Sequence, residues 1–202
     1  PKKFKGESKM KSSLTIEAVK NIKQVGSIVS SSSFLVKKIL KGIEFERDVK
    51  ILELGAGNGV ITKEILDRMS GKSELWLYEN NKNFIKALEH INDDRLILKG
   101  ESATKINMLE DNYFDVVISS LPLANFKKPF KDELYRSIQQ KLKSFGTFLQ
   151  YQYSLSDYKD IKNNFHNCTL EFCLFNIPPA FIYKAEWIKE EKKKRPVLEN
   201  IA

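Results

Sequence analysis

The segment Ile51-Leu52-Glu53-Leu54-Gly55-Ala56-Gly57-Asn58-Gly59-Val60-Ile61-Thr62 constrains this chain more than any other. An apolar run of strand character enters three glycines at i, i+2 and i+4, and helical spacing begins at Val60. Glycines there let the backbone turn sharply and meet a ligand with no Cβ in the way. The helix that follows leaves its first N–H groups free for an acceptor. Strand, glycine turn and helix in that order begin a crossover unit, so an α/β fold around a parallel sheet is expected.

The rest of the chain repeats the alternation. Extended runs at 49–54, 75–78, 96–98, 114–118 and 147–153 alternate with helical spacing at 60–69, 84–88, 134–142 and 158–165. Two further extended runs, 170–175 and 181–187, are separated by Pro178-Pro179 and no helix. They should pair as an antiparallel end to a doubly wound sheet of about seven strands. A dinucleotide fold would instead have six parallel strands and a third glycine one residue later. Ahead of the sheet, Leu14, Ile16, Ala18, Val19, Ile22 and Val25 share one helical face, residues 26–33 form a Ser-rich turn, and residues 34–40 a second short helix closed near Gly42. These features divide the chain into a basic amphipathic helical segment over 1–45 and one α/β domain over 46–202.

Composition excludes several classes. The chain has 202 residues, of which 42% are hydrophobic and 30% charged, enough for a single domain with a full core. No run approaches 18 apolar residues, which argues against a membrane span. No apolar stretch follows Pro1-Lys2-Lys3-Phe4-Lys5, so a signal peptide is not expected. Cys168 and Cys173 sit in one strand-like run with no second pair, which argues against a zinc site or a disulfide framework and for a reducing, cytosolic setting. No metal is expected.

The net charge of +8 points to a polyanionic partner, either nucleic acid or anionic lipid. Residues 1–25 hold seven lysines (2, 3, 5, 9, 11, 20 and 23) against Glu7 and Glu17, whereas Lys192-Lys193-Lys194-Arg195 lies beside Glu190 and Glu191. An apolar face flanked by lysines is the pattern of a helix lying in an anionic membrane interface. A helix packed on the domain or a solvated arm would carry the same residues. Nothing in the sequence sets an oligomeric state.

Three acids stand at three successive strand ends: Glu53 two residues ahead of the glycines, Glu79 after Leu75-Trp76-Leu77-Tyr78, and Glu101 in Gly100-Glu101-Ser102-Ala103. A carboxylate at the second strand tip suits a ribose diol, as in dinucleotide folds. The loop after the fourth strand, Ser119-Ser120-Leu121-Pro122-Leu123, has no amide or carboxylate head and no aromatic residue at Leu123. It thus lacks the polar group and the ring that hold a flipped adenine.

On these residues the chain resembles the bacterial phospholipid N-methyltransferases, which are class I S-adenosylmethionine-dependent enzymes. The resemblance covers about residues 24–184. It rests on Val25-Gly26-Ser27-Ile28-Val29-Ser30-Ser31-Ser32, the glycine loop, Ser119-Ser120-Leu121-Pro122-Leu123, Phe148-Leu149-Gln150-Tyr151-Gln152-Tyr153 and Asn176-Ile177-Pro178-Pro179-Ala180. It departs where that family often has Pro, at Ser30 or Ser31, and where it often has Gly, at Ser120. A more distant likeness to ribosomal RNA adenine dimethylases ends at Ser119.

The resemblance implies S-adenosylmethionine as cofactor and S-adenosylhomocysteine as product. It implies a cofactor site made of Glu53, Gly55, Ala56, Gly57, Gly59, Val60, Glu79, Asn80, Glu101, Ser102, Ala103 and Ser119, with Ser31 and Ser32 at the mouth. Glu53 would meet the cofactor's ammonium, Glu79 its ribose and Glu101 its adenine amine. Ser119, Ser120, Tyr151 and Tyr153 would orient the acceptor amine. An aminophospholipid like phosphatidylethanolamine is the expected substrate, nucleic acid the less favoured one, and the cytosolic face of the membrane the expected place. Neither His90 nor His166 is expected to serve as a base.

Overall fold

The computed structural model describes residues 33–189. The helix expected over residues 14–25, the serines at 30–32 and the cluster at 192–195 lie outside the described residues.

Seven strands form one sheet in the order β3-β2-β1-β4-β5-β7-β6. They are β1 (Lys50–Leu54), β2 (Glu74–Tyr78), β3 (Leu96–Lys99), β4 (Phe114–Ser119), β5 (Leu142–Gln152), β6 (His166–Cys173) and β7 (Ala180–Trp187). β1 pairs in parallel with both β2 and β4, β2 with β3, and β4 with β5. β7 is inserted antiparallel between β5 and β6, so β6 runs the same way as β1 to β5. The strand count and the reversed last strand are those expected from the alternation and from the Pro178-Pro179 turn.

The helices are α1 (Ser33–Ile39), α2 (Val60–Arg68), α3 (Lys82–Leu88), α4 (Lys128–Lys141) and α5 (Tyr158–Asn164), with 3-10 turns at Ala103–Met108 and Leu123–Asn125. Strand alternation sends Ile51, Leu75 and Ile118 into one core with Leu35, Ile39, Ile61 and Ile65 from α1 and α2. Leu52, Val117 and Phe148 enter the opposite core with Tyr135, Ile138 and Ile161 from α4 and α5. Covering both faces explains why β1 reads as a nearly continuous apolar run. α1, grouped by sequence with the N-terminal segment, shares the first of these cores.

Three boundaries differ from the sequence reading by four residues or more, one of them the start of β5, at Leu142 rather than 147. α4 begins at Lys128, six residues before Leu134, because Pro129 in its first turn has the φ a helix start needs and loses no hydrogen bond there. β6 lies four residues earlier than expected at its start, at His166. Being an edge strand with mostly exposed residues, it carries no alternating signal to fix its limits. The order reverses between β1 and β4, and a cleft opens outside their carboxyl ends, as open α/β sheets require.

Candidate active site

The cleft has a volume of about 750 Å³. The glycine loop forms its floor. Gly55, Gly57 and Gly59 have φ of 78°, 57° and 76°, the left-handed region where a side chain is strained. Their surroundings assign them different tasks. A Cβ on Gly59 would lie 2.8 Å from Leu88 Cδ2, so this glycine serves helix packing at the start of α2. A Cβ on Gly57 would meet none of the described residues within 4 Å and would stand in the cleft. Gly57, Gly55, Ala56 and Val60 line the cleft, whereas Gly59, expected with them in the cofactor site, is not among its lining residues.

Glu53 is 2% exposed, and its Oε2 accepts the Thr62 hydroxyl at 2.8 Å. Burial pushes its carboxyl up to about 7, against the Thr62 hydrogen bond and with the added repulsion of Glu79. An acid in that condition gains a full partner when a cation enters the cleft. Glu79 accepts the Gly57 N–H at 3.0 Å on one oxygen and the Asn81 N–H at 2.8 Å on the other. It therefore joins the tip of β2 to the glycine loop and keeps lone pairs free for a diol. Glu101 is exposed at the rim of the same cleft. Ser102 accepts the Thr104 N–H and starts the 3-10 turn that brings Ala103 into the wall, next to Asn80.

The two serines after β4 part ways. Ser119 ends the strand, paired with Leu54 and Gln150, and is fully buried. Its Oγ accepts the Leu121 N–H at 3.3 Å, and Ser119, expected both in the cofactor site and at the acceptor, is not among the residues that line the cleft. Ser120 has left the ladder and lines the cleft, with its hydroxyl donating to the Gly55 carbonyl. It braces the glycine loop. Gln150, buried beneath, donates to the Leu121 carbonyl at 3.1 Å and holds the next turn.

The far wall is aromatic. Tyr151 and Tyr153 lie on one face at the end of β5 and line the cleft. Burial raises the Tyr153 phenol, and a hydrogen bond from Asn176 pulls it back. Asn176 also donates to the Pro178 carbonyl at 2.7 Å, which fixes Pro178 in the wall. Sequence reasoning missed Phe126 and Phe130, whose rings pack with centroids 4.5 Å apart and line the cleft. Leu123 is buried in the core, and an aromatic ring enters the cleft three residues later, at Phe126. Phe84 of α3 was missed as well; its half-buried place on a short helix right after Glu79 was the available signal.

These residues fit S-adenosylmethionine. Among the described residues, the space over Gly57 admits a ligand against the backbone, Glu53 has no cationic partner, and Glu79 presents two oxygens beside it. Glu53 would hold the ammonium, Glu79 the ribose hydroxyls, and Phe84, Glu101 and Ala103 the adenine end.

A family model described as a methyltransferase domain matches residues 45–198. The chain is 29% identical over 173 residues to an ornithine lipid N-methyltransferase of Singulisphaera acidiphila, covering 82% of this chain and 90% of that protein. It is 30% identical over 112 residues to a ubiquinone/menaquinone biosynthesis C-methyltransferase of Paraburkholderia phymatum, covering 52% of this chain and 43% of that one. A solved S-adenosylmethionine-dependent methyltransferase from Aquifex aeolicus is similar in fold, with a TM-score of 0.63 at 14% identity over 84% of this chain and 98% of that one. The cradle around Gly57 and the family match over most of the sequence lead to one assignment: this chain belongs to the methyltransferase domain family and is a class I, S-adenosylmethionine-dependent methyltransferase.

Proposed function

We propose that the chain methylates the amine of an aminolipid headgroup, of the phosphatidylethanolamine or ornithine-lipid kind, at the cytosolic face of an anionic membrane. The chemistry of the cleft wall carries this reading. Among the described residues its charged members are Glu53, Glu79 and Glu101, and its acceptor end is made of Tyr151, Tyr153, Phe126 and Phe130. No lysine or arginine is among them. Such a wall favours the ammonium end of a headgroup and offers no cation to the phosphate chain of a nucleic acid. The relative that methylates ornithine lipid supports the same acceptor class. The seven lysines of residues 1–25 would hold the chain on anionic lipid.

The cofactor supplies a methyl group on a sulfonium, whose transfer to a neutral amine leaves the thioether S-adenosylhomocysteine. The protein's part is to position the amine and exclude water. Tyr151, Tyr153, Phe126 and Phe130 enclose and orient the headgroup, whose ammonium gives its proton to solvent before the neutral amine attacks. Neither histidine lines the cleft. Ser120 and Gln150 keep the loops on the two sides of the cleft in register.

The test is incubation with a labelled methyl donor and, separately, phosphatidylethanolamine or ornithine-lipid vesicles, RNA and free ethanolamine. Label in the organic extract supports the proposal. Label in RNA alone, or in ethanolamine alone, overturns it.

A further inference from the structure

Five large apolar side chains stand exposed beside the cleft rather than scattered over the surface. Phe34 is 60% exposed, Phe172 47%, Leu174 62%, Phe175 73% and Ile177 79%. Phe34 opens α1, and its ring meets that of Phe175 at 5.5 Å. The other four belong to the end of β6 and the loop 174–179 before β7. Because β6 runs parallel to β5, that loop leaves the same edge of the sheet as the carboxyl ends of β1 and β4. Pro178 of the loop lines the cleft, and Asn176 ties the loop to Tyr153 in its wall.

An apolar surface of this kind rimmed by polar groups marks an interaction site. Its rim is basic. Lys37 and Lys41 are exposed along and just past α1, and Lys38 spans the gap to β6, donating to the Phe172 carbonyl at 2.9 Å with Glu171 3.4 Å away. Glu171 is already engaged by Lys38, and among the described residues neither Lys37 nor Lys41 has an ion pair, so both add positive charge to this side of the patch. Aromatic and aliphatic side chains on a loop tip, with lysines behind them, match the polarity profile of a bilayer interface carrying anionic headgroups.

We infer that the loop 174–179 and the start of α1 form a membrane-docking tip, in which Phe34, Leu174, Phe175 and Ile177 enter the interface of an anionic bilayer beside the cleft mouth. This rests on the aminolipid reading and adds the contact that reading requires. A two-chain lipid leaves its acyl chains in the bilayer, so the cleft must be brought to the headgroup. Pro178 makes the inserted tip and the cleft wall one structure.

The experiment uses the full chain and vesicles of phosphatidylglycerol and phosphatidylcholine that contain no amine lipid, so its result does not depend on methyl transfer. The variant F175S/I177S should bind these vesicles about tenfold more weakly or worse, from the loss of two inserted apolar side chains. Its affinity for S-adenosylhomocysteine should be unchanged, which verifies the fold. F175W should be quenched by brominated acyl chains well beyond the wild type, whose Trp76 and Trp187 lie elsewhere. Unchanged vesicle binding by F175S/I177S with no quenching of F175W overturns the inference. So does a shift from dimer to monomer caused by F175S/I177S, which would assign the patch to a second copy. An F175W indole shielded from both lipid and aqueous quenchers overturns it too, by assigning the patch to the chain's own N-terminal segment. If vesicle docking holds but no lipid is labelled, the tip stands and the substrate assignment falls.

Discussion

Replacing Glu79 with Gln tests the cofactor cradle at the point where loop and ligand share one side chain. The carboxylate accepts the Gly57 N–H at 3.0 Å and the Asn81 N–H at 2.8 Å, one on each oxygen. In Gln one oxygen becomes an NH2 that faces an N–H, so one of these bonds is lost and the other loses its charge. Hydrogen bonds to a charged group contribute about 1.5–3 kcal/mol each. Removing one from the ribose contact and weakening the loop that frames it should together cost about 3 kcal/mol of cofactor affinity, or roughly 150-fold in Kd. Equilibrium dialysis with labelled S-adenosylmethionine reads this directly. The lost loop bond should cost folding about 2 kcal/mol, a Tm decrease of about 4–8 °C. Glu101→Gln is the internal control: exposed at the rim, it should change Kd by about tenfold at most. Binding by Glu79→Gln within about threefold of wild type, or a larger loss in Glu101→Gln, would refute the reasoning.

Other expectations follow from the same contacts. Gly57→Ala should nearly abolish cofactor binding with a stability loss of about 1 kcal/mol, since its Cβ enters open cleft at positive φ. Gly59→Ala should destabilise the fold more than Gly57→Ala, because its Cβ obliges the Leu88 methyl at 2.8 Å to shift; urea titration of both variants orders them. Glu53, raised to about 7, keeps in the folded chain a proton that the unfolded chain has already released. Stability should therefore fall as pH rises from about 4.5 to 7 and level off above, by about 3 kcal/mol at most. Affinity for the cofactor should move the other way, weakening below pH 7 as the carboxylate is lost, and Glu53→Gln should flatten both profiles. Lys131 bridges Asp160 at 2.7 Å and the fully buried Asp157 at 2.6 Å. Lys131→Met should cost about 3–5 kcal/mol by stranding a buried charge, measured by denaturant unfolding, with recovery in the double variant Lys131→Met/Asp157→Asn.

Much of the sheet was legible because its signals are local. A buried parallel strand reads as an apolar run, and the acids Glu53, Glu79 and Glu101 stand where such runs stop. The absence of a helix around Pro178-Pro179 foretold the reversed β7. Less legible was what depends on one residue of register or on strand order. Ser119 and Ser120 look equivalent in sequence, yet the first is still paired in β4 and the second has turned into the cleft. Gly57 and Gly59 likewise differ only in what faces them, open space or Leu88. Phe126 and Phe130 join Tyr151 and Tyr153 only because β5 lies beside β4 and the 3-10 turn after β4 folds back over the gap. No spacing within the segment announces that meeting. The Asn176-Pro178 turn could be recognised as a motif, but its tie to Tyr153 appears only in three dimensions.

The most direct measurement is calorimetric titration of S-adenosylhomocysteine into the purified full chain. A saturable heat corresponding to one site per chain, lost in Gly57→Ala, is the predicted result. No heat at ligand concentrations well above those that saturate other enzymes of this kind, together with an unshifted melting temperature, would contradict the account at its base.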